Sequence, residues 1–292
     1  MEQVVKVSAP AKINLGLSVL RKRDDGYHEI RTLFQAVSLC DELELEPIPK
    51  GIELTLEGEG IPNDQENIAW KAAESFLSRL RVSAGVHIRL RKNIPVAAGL
   101  GGGSSDAAAV LKGLSRLFSF SLPRNELLEM GRHLGADVPF FLFGNSALGE
   151  GTGAILSSIS ALPQSWIVII NPGFPISTKW VYDHASLLLT KKPDHINMVK
   201  YFLRENDLPR IGYYLHNDLE AVVLKRYPII NELKNRLLSA GAVGAVMSGS
   251  GASVFGLFAD RPLADQAFNR MRREGNGWKI FLTEPLSNTT IN

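Results

Sequence analysis

The sequence has 292 residues, 45% of them hydrophobic, and its 32 basic and 30 acidic side chains give a formal net charge of +2 at neutral pH. A chain this close to neutral lacks the strong field that favours nucleic acid or an anionic membrane as a partner. The single cysteine, Cys40, excludes an internal disulfide and a cysteine-rich metal site. The longest apolar runs are too short to span a bilayer. The composition therefore predicts a cytoplasmic protein, long enough for two domains that each have a core.

Apolar residues alternate with polar ones from residue 3 to residue 20, which predicts a β-strand. In this register Lys12 and Asn14 point to the face opposite the apolar set. The spacing leaves two interpretations open. In the first, the pair lies on the solvent-exposed face of an outer strand. In the second, it places a cation and an amide side by side on the wall of a cleft.

The following segments predict a turn, further strands and a helix. Asp-Gly at 25–26 is typical of a tight turn, because both residues tolerate unusual backbone angles. Strand patterns then occupy 30–39, 43–45 and 52–56, a helical pattern occupies 67–80, and another strand pattern occupies 85–92.

Four of the five residues from 99 to 103 are glycine, and Ser104 and Ser105 follow as predicted N-cap residues of the next helix. Without a Cβ, glycine lets backbone amides approach an anion closely, and a helix N-terminus adds the positive end of its dipole. The strand, loop and helix together therefore predict a phosphate-binding site. The alternative is a glycine-rich turn that only joins a strand to a helix.

This loop differs from the two common phosphate-binding motifs. A Walker loop ends in Gly-Lys-Ser or Gly-Lys-Thr, and no lysine stands between Gly99 and Ser105. A dinucleotide-binding fingerprint is matched only at Gly99 and Gly101, with Ser104 at the third glycine position. The pattern thus predicts phosphate binding without indicating either motif class.

The rest of the chain predicts a second, smaller sandwich. Asp137 is a lone acid before an apolar segment, where it either caps a short element or takes part in chemistry. Small polar residues between 157 and 164 predict a domain change. Helical patterns occupy 123–134, 174–220, 229–240 and 262–273, and strand patterns occupy 166–170, 245–258 and 278–282, with a second glycine turn inside 245–258. Alternating strands and helices of this kind predict an α+β fold.

Separated motifs resemble those of the GHMP small-molecule kinases. Residues 95–105 read Pro-x-x-x-Gly-Leu-Gly-Gly-Gly-Ser-Ser, which is similar to the phosphate loop of that superfamily, and 248–255 read Ser-Gly-Ser-Gly-Ala-Ser-Val-Phe, similar to its third motif. Other motifs resemble one branch, which phosphorylates a cytidine-diphosphate-linked methylerythritol. They are Pro-Ala-Lys-Ile-Asn-Leu at 10–15, Asp-Gly-Tyr-His at 25–28, Leu-Gly-Ala-Asp-Val-Pro at 134–139 and Asn-Asp-Leu-Glu at 217–220.

The resemblance implies a fold and an activity. The fold is α+β with two domains, 1–158 with the phosphate loop and a ribosomal-protein-like topology, and 159–292 as a ferredoxin-like α/β sandwich. The activity is ATP-dependent phosphorylation of the 2-hydroxyl of 4-(cytidine 5'-diphospho)-2-C-methyl-D-erythritol, on the methylerythritol phosphate route to isoprenoids. Mg²⁺ is implied as the partner of ATP, near Ser105 or Asp106, with no ligand set legible. The expected assembly is a monomer or weak homodimer.

The resemblance also implies roles for single residues. Lys12 and Asp137 fall on the catalytic pair, with Asp137 as the base that takes the proton from the 2-hydroxyl. An ammonium beside that hydroxyl would stabilise the developing alkoxide, although the same charge also favours ionised Asp137.

Binding residues follow from the same resemblance. The implied ATP-binding residues are Pro95, Val96, Ala97, Ala98, Gly99, Leu100, Gly101, Gly102, Gly103, Ser104 and Ser105 of the loop, with Asn67 and Lys92 towards adenine. The implied substrate-binding residues are Tyr27 and His28 against cytosine, Asn14 at the erythritol portion, and Phe34, Thr178 and Tyr182 as further walls. The third motif contributes Gly249, Ser250 and Gly251.

Two alternatives stay open. Another GHMP kinase, acting on homoserine, mevalonate or a sugar, would share the phosphate loop; the Tyr27–His28 and Lys12–Asp137 pairs weigh against it. A non-catalytic module that binds nucleotide or RNA would keep the ribosomal-protein-like topology with vestigial glycines. The near-neutral net charge weighs against that reading.

Overall fold

The computed structural model describes residues 4–57, 61–80, 84–185, 194–275 and 277–287. Its mixture of helices and strands confirms the predicted α+β class. The strands are β1 (Val5–Lys22), β2 (His28–Ile48), β3 (Gly51–Glu57), β4 (Gly85–Arg91), β5 (Ser146–Glu150), β6 (Ile155–Ser158), β7 (Trp166–Asn171), β8 (His216–Asn217), β9 (Gly244–Met247), β10 (Val254–Phe258) and β11 (Lys279–Thr283). The helices are α1 (Ile68–Leu80), α2 (Gly102–Leu117), α3 (Arg124–Leu134), α4 (Val138–Phe143), α5 (Thr178–Ala185), α6 (His195–Glu205), α7 (Leu208–Tyr214), α8 (Glu220–Arg226), α9 (Ile229–Ser239) and α10 (Arg261–Glu274).

The chain divides into two compact units, each built from several chain segments. The first contains Met1–Ala11, Cys40–Val96 and Gly101–Phe143, and the second contains Lys12–Leu39, Ala97–Leu100 and Gly144–Asn292. The long strands β1 and β2 each contribute to both units. The domain boundary at residue 158 stays a prediction.

The first unit packs helices on a sheet with the strand order β3-β4-β2-β1. β3 is parallel to β4, and β4 is antiparallel to β2. Gly113 explains how closely α2 approaches this sheet, because a Cβ there would lie 2.2 Å from Cδ1 of the fully buried Leu45. Glycine thus lets the helix that follows the glycine-rich loop rest directly on β2.

The helix α2 begins earlier than the sequence predicts. Its N-cap is Gly101, whose φ of 71° lies in the left-handed region, and Ser104 and Ser105 lie inside the first turn. The prediction that the serines cap this helix is therefore wrong, because a residue without a Cβ adopts the positive φ at the lowest cost. Ser105 donates the first intrahelical hydrogen bond, to Gly101 O at 2.9 Å. The backbone N–H groups of Gly102, Gly103 and Ser104 come before this bond, so they have no partner within the helix.

The second unit contains strands of two different sheets. β1 pairs in parallel with the two-residue strand β8, and β2, β5 and β6 form an antiparallel set. A separate antiparallel sheet has the order β11-β7-β10-β9, with α9 and α10 packed on it. The sequence did not predict the β5–β6 hairpin or β8, because such short strands hold too few residues to establish a period of two. Within the described ranges, no helix has the length and apolar composition needed to cross a membrane.

Candidate active site

Lys12 lies on β1 with its ammonium group buried. The residue is 3% exposed, and Nζ donates hydrogen bonds to Asn14 Oδ1 at 2.7 Å and to Gly99 O at 3.0 Å. All residues from 12 to 17 are buried, so both faces of β1 are covered here. The interpretation of Lys12 and Asn14 as lying on the solvent-exposed face of an outer strand is therefore wrong. The structure instead brings this cation to the Gly99 carbonyl of the glycine-rich loop.

The third motif, residues 248–255, forms hydrogen bonds to Ala98 and Gly99 of the same loop. Ser248 Oγ donates to Gly99 O at 2.9 Å and lies 3.4 Å from Asn14 Oδ1. Farther along, the backbone N of Ser253 donates to Ala98 O at 3.2 Å. The carbonyl of Gly99 thus accepts from both a lysine and a serine, which fixes its orientation.

Two glycines make this close approach possible. A Cβ on Gly99, whose φ is 75°, would lie 2.1 Å from the carbonyl oxygen of Ser248. A Cβ on Gly249, whose φ is 56°, would lie 3.2 Å from Lys12 Nζ. Both positions combine a left-handed backbone with tight contacts, so a side chain would displace the loop or the lysine. The glycines of the third motif therefore have a packing role beside the cation.

The Asn-Asp-Leu-Glu motif at 217–220 supports the third motif. Asn217 Nδ2 donates to Met247 O at 2.8 Å and to Gly249 O at 2.7 Å. Asp218 Oδ2 accepts from the backbone N of Val19 at 2.9 Å, which joins the motif to β1. The sequence alone indicates no role for this motif. The structure shows that its side chains join β1 to the turn beside Lys12.

His28 and Tyr182 lie together in the second unit, with ring centroids 5.4 Å apart and planes tilted by 33°. His28 is 6% exposed, and its buried Nε2 has no hydrogen-bond partner among the described residues. Burial lowers the pKa of His28 from its ordinary value, Lys22 lowers it further, and Asp183 opposes the shift. The imidazole is therefore neutral at pH 7, with one donor and one acceptor.

The other predicted substrate residues lie on the same unit. Tyr27 is 65% exposed beside His28 in the chain. Thr178, the first residue of α5, places Oγ1 2.9 Å from Ser250 Oγ of the third motif. Phe34 is buried, and its ring centroid lies 5.6 Å from Lys12 Nζ. Their roles in substrate binding stay predictions.

In the first unit, Lys92 lies between two buried carboxylates. Its Nζ donates to Asp41 Oδ2 and, at 2.6 Å, to Asp106 Oδ2. Burial raises the pKa of Asp106 to about 8, while Lys92 opposes the shift and Asp41 adds to it. Asp41 also accepts from the backbone N atoms of Asn93 and Ile94, so it secures the segment that precedes the glycine-rich loop. Asp41 was not predicted as a site residue.

Asn67 and Asp137, two other predicted site residues of the first unit, each directly precede a helix. Asn67 directly precedes α1, and its amide is engaged by the backbone, with Nδ2 donating to Pro62 O at 2.7 Å and Oδ1 accepting from Ala69 N at 2.9 Å. Asp137 directly precedes α4 and is half-buried. Their functional roles, like that of Lys92 towards adenine, stay predictions.

Comparisons with known proteins identify the family. The family model described as the GHMP kinases N terminal domain matches residues 67–145, and the GHMP kinases C terminal model matches residues 198–277. A 4-diphosphocytidyl-2-C-methyl-D-erythritol kinase from Geobacter metallireducens is 50% identical over 254 residues, covering 87% of this chain and 89% of the relative. The chain belongs to the GHMP kinase family.

Further comparisons place the chain on one branch of this family. The protein of the same name from Geobacter sulfurreducens is 47% identical and covers 91% of this chain and 94% of the relative. A crystal structure of 4-(cytidine 5'-diphospho)-2C-methyl-D-erythritol kinase matches with a TM-score of 0.80 at 36% identity, covering 97% of this chain and 100% of that one. This GHMP kinase therefore uses ATP. The predicted family, fold class and kinase activity are confirmed.

Proposed function

We propose that this GHMP kinase transfers the γ-phosphoryl group of ATP to the 2-hydroxyl of 4-(cytidine 5'-diphospho)-2-C-methyl-D-erythritol. The observation that carries the proposal is the buried Lys12 ammonium, which donates to a carbonyl of the phosphate loop. A fixed cation at such a loop suits phosphoryl transfer, where catalysis consists mostly of positioning and charge stabilisation. The name shared by the 47–50% identical relatives supports the choice of substrate.

Backbone groups of the loop bind the ATP phosphates in this proposal. The helix α2 begins at Gly102, and its first-turn amides have no partner within the helix. These amides and the positive end of the helix dipole therefore donate to phosphate oxygens. Lys12 offsets the negative charge that develops on the transferring group and on the 2-oxygen, and Asp137 accepts the proton that leaves the hydroxyl.

Mg²⁺ fits the atoms available beside the loop. Ser105 Oγ and Asp106 Oδ1 are buried, and neither has a hydrogen-bond partner among the described residues. Hydroxyl and carboxylate oxygens are ligands that Mg²⁺ prefers, and the ion usually takes few protein ligands besides water and phosphate. In the part of the chain that the structure describes, no three or more His, Cys, Asp or Glu residues are grouped so that they could hold a metal. Because Mg²⁺ needs only one or two protein ligands beside a bound nucleotide, we assign these two oxygens, of Ser105 and Asp106, to the ion. When bound, the ion would neutralise phosphate charge.

Recognition of the cytidine is assigned to His28, Tyr182 and Tyr27. A neutral His28 presents one donor and one acceptor, which suits the polar edge of cytosine, and its Nε2 is without a partner among the described residues. Tyr182 lies beside that ring, and the exposed Tyr27 offers an aromatic face for stacking.

The proposed recognition predicts a pH dependence of substrate binding. Because the pKa of His28 lies below its ordinary value of 6.5, the ring stays neutral at pH 7 and gains a proton only as the pH falls further. Protonation removes its acceptor, so KM for the cytidyl substrate is expected to rise about tenfold between pH 7 and pH 5. KM for ATP should change less than about twofold. Folding stability should also fall below the unfolded-state pKa, because the native state resists the proton.

Steady-state kinetics with each substrate varied across this pH range measure the effect. A His28→Gln variant, whose amide does not titrate, serves as the control and is expected to flatten the profile. Equal changes in KM for both substrates, or an unchanged profile in the variant, would contradict the role of His28.

Release of ADP, measured in a coupled assay with Mg-ATP, tests the proposed function directly. Turnover is expected with the cytidyl substrate and not with homoserine, mevalonate or galactose. Turnover with one of those alcohols alone would overturn the substrate and leave the family intact. Binding of RNA without turnover would favour the non-catalytic alternative, and its salt dependence would report the phosphate contacts.

We also infer the setting in which the enzyme works. ATP and the cytidyl substrate are its partners, without nucleic acid, and we expect a monomer or weak homodimer in the cytoplasm. The net charge of +2 supports the exclusion of nucleic acid, and the use of ATP supports the location.

A further inference from the structure

Thr32 was not predicted as a site residue, yet it lies in a chain of hydrogen bonds that starts at Lys12 and ends at the carbonyl of Gly16. Lys12 Nζ donates to Asn14 Oδ1 at 2.7 Å, and Asn14 Nδ2 donates to Thr32 Oγ1 at 2.8 Å. Thr32 Oγ1 donates in turn to Gly16 O at 2.9 Å. Lys12, Asn14 and Thr32 are all buried, Thr32 completely.

The direction of every bond in this chain is fixed by chemistry. An ammonium group only donates, so the oxygen of the Asn14 amide must face Lys12 and its nitrogen must face Thr32. The carbonyl of Gly16 only accepts, so the single hydroxyl proton of Thr32 points to Gly16. A lone pair of the hydroxyl is then the acceptor for Asn14. If the amide were rotated by 180°, the donor Nδ2 would face the donor Lys12 Nζ and the acceptor Oδ1 would face the lone pair of Thr32, so both hydrogen bonds would be lost.

We propose that Thr32 is a positioning residue, which holds the Asn14 amide in the orientation that fixes the Lys12 ammonium at the phosphate loop. Lysine has a flexible four-carbon stem, so its charge is useful in the transition state only if its contacts set its position in advance. Asn14 supplies one such contact, and the backbone carbonyl of Gly99 supplies another. The proposal rests on the role assigned to Lys12 under the proposed function.

The proposal adds a second role to Asn14, for which the family resemblance implies binding of the erythritol portion of the substrate. Its oxygen accepts from Lys12 and lies 3.4 Å from Ser248 Oγ, and one N–H of its nitrogen is used by Thr32. An amide nitrogen carries two hydrogens, so a second N–H remains for the substrate hydroxyl groups. A single side chain can therefore orient the catalytic cation and contact the substrate.

Replacement of Thr32 by valine tests the proposal, because valine keeps the shape and removes the hydroxyl. The Thr32→Val variant is expected to lower kcat for the cytidyl substrate by about tenfold to a hundredfold, with KM for ATP changed less than about twofold. A Thr32→Ser variant keeps the hydroxyl and should retain at least about half of the wild-type kcat.

Thr283 provides a matched control in the same unit. It is 3% exposed, and its hydroxyl bonds to Ser38 Oγ at 2.8 Å and accepts from Leu39 N at 2.9 Å. Thr283→Val therefore makes the same chemical change at a buried threonine outside the proposed machinery. Its kcat should stay within about twofold of the wild type even where its melting temperature falls as far as that of Thr32→Val.

A second measurement separates this proposal from the proposed function. Carbon-13 spectra of the full-length enzyme labelled at lysine Cε, assigned with Lys12→Met, report the surroundings of Lys12 without any substrate. Thr32→Val should shift the Lys12 resonance, and Thr283→Val should not. An unmoved resonance together with an unchanged kcat would overturn the proposal. A shifted resonance in an enzyme that does not turn over the cytidyl substrate would support the positioning and overturn the proposed function.

Discussion

Replacing Asp137 by asparagine is expected to lower kcat by about a thousandfold, because the amide keeps the size of the carboxylate and cannot accept the proton of the 2-hydroxyl. Dissociation constants for ATP and for the cytidyl substrate should stay within about twofold, since a base contributes in the transition state more than in the ground state. Single-turnover kinetics with saturating Mg-ATP measure the chemical step, and calorimetry measures the two affinities.

Asp207→Asn is the matched control for this experiment. Asp207 is also a half-buried aspartate, and its carboxylate accepts from the backbone N of Arg210 at the start of α7. Asparagine is an equally good N-cap, so neither kcat nor stability should change measurably. Retention of turnover in Asp137→Asn would remove Asp137 from the role of general base. Loss of ATP affinity in that variant would instead indicate a role in binding.

Replacing Lys12 by methionine should lower kcat by about a hundredfold to a thousandfold, because it removes the charge that is already in place before phosphoryl transfer. Methionine fills most of the volume of the lysine stem, and Gly99 O keeps its hydrogen bond from Ser248 Oγ. The buried acceptor Asn14 Oδ1 loses its donor at Lys12, which is expected to cost about 1–3 kcal/mol of folding stability. The melting temperature should therefore fall by only a few degrees, while turnover is lost.

Lys112→Met distinguishes loss of the charge proposed for catalysis, that of Lys12, from loss of any buried lysine. Lys112 Nζ donates to Phe141 O at 2.6 Å, and burial lowers the pKa of this lysine, as does nearby Arg116. The same substitution there should leave kcat within about twofold of the wild type. Equal losses of kcat in the two variants, or parallel losses of stability and kcat in Lys12→Met, would show that Lys12 acts through folding alone.

Long, strongly periodic elements were predictable from the sequence. The strand from Val5, the helices α1, α3, α9 and α10, and the strands β4, β7 and β10 all agree with their predicted positions to within a few residues. Each of them has enough residues, or strong enough apolar bias, to show its period. The short hairpin β5–β6 and the two-residue β8 have too few residues to show a period, and they depend on neighbouring strands for their hydrogen bonds.

The candidate site was predictable in its residue types and less so in its contacts. Lys12 and the glycine loop were identified from the sequence, and the structure joins them through the Gly99 carbonyl. Thr32 carried no signal of its own, because a buried threonine on a strand is common in any protein. Asn217 stood in a family-like motif, but the motif did not indicate which residues its side chain contacts. Their partners are remote or cross-strand residues, which local patterns do not reveal.

The sequence alone determined the family, the α+β class and the position of the glycine-rich loop, because motif spacing and local periodicity are encoded within short stretches of chain. Only the tertiary structure decided that Lys12 and Asn14 are buried, that Gly101 is the N-cap of α2, and that Ser248 shares the Gly99 carbonyl with Lys12. These features depend on distant segments of the chain: Gly99 and Ser248 are 149 residues apart, and Asn14 and Ser248 are 234 residues apart. Burial and hydrogen-bond direction arise when such segments meet, and no periodicity within one segment specifies its distant partner.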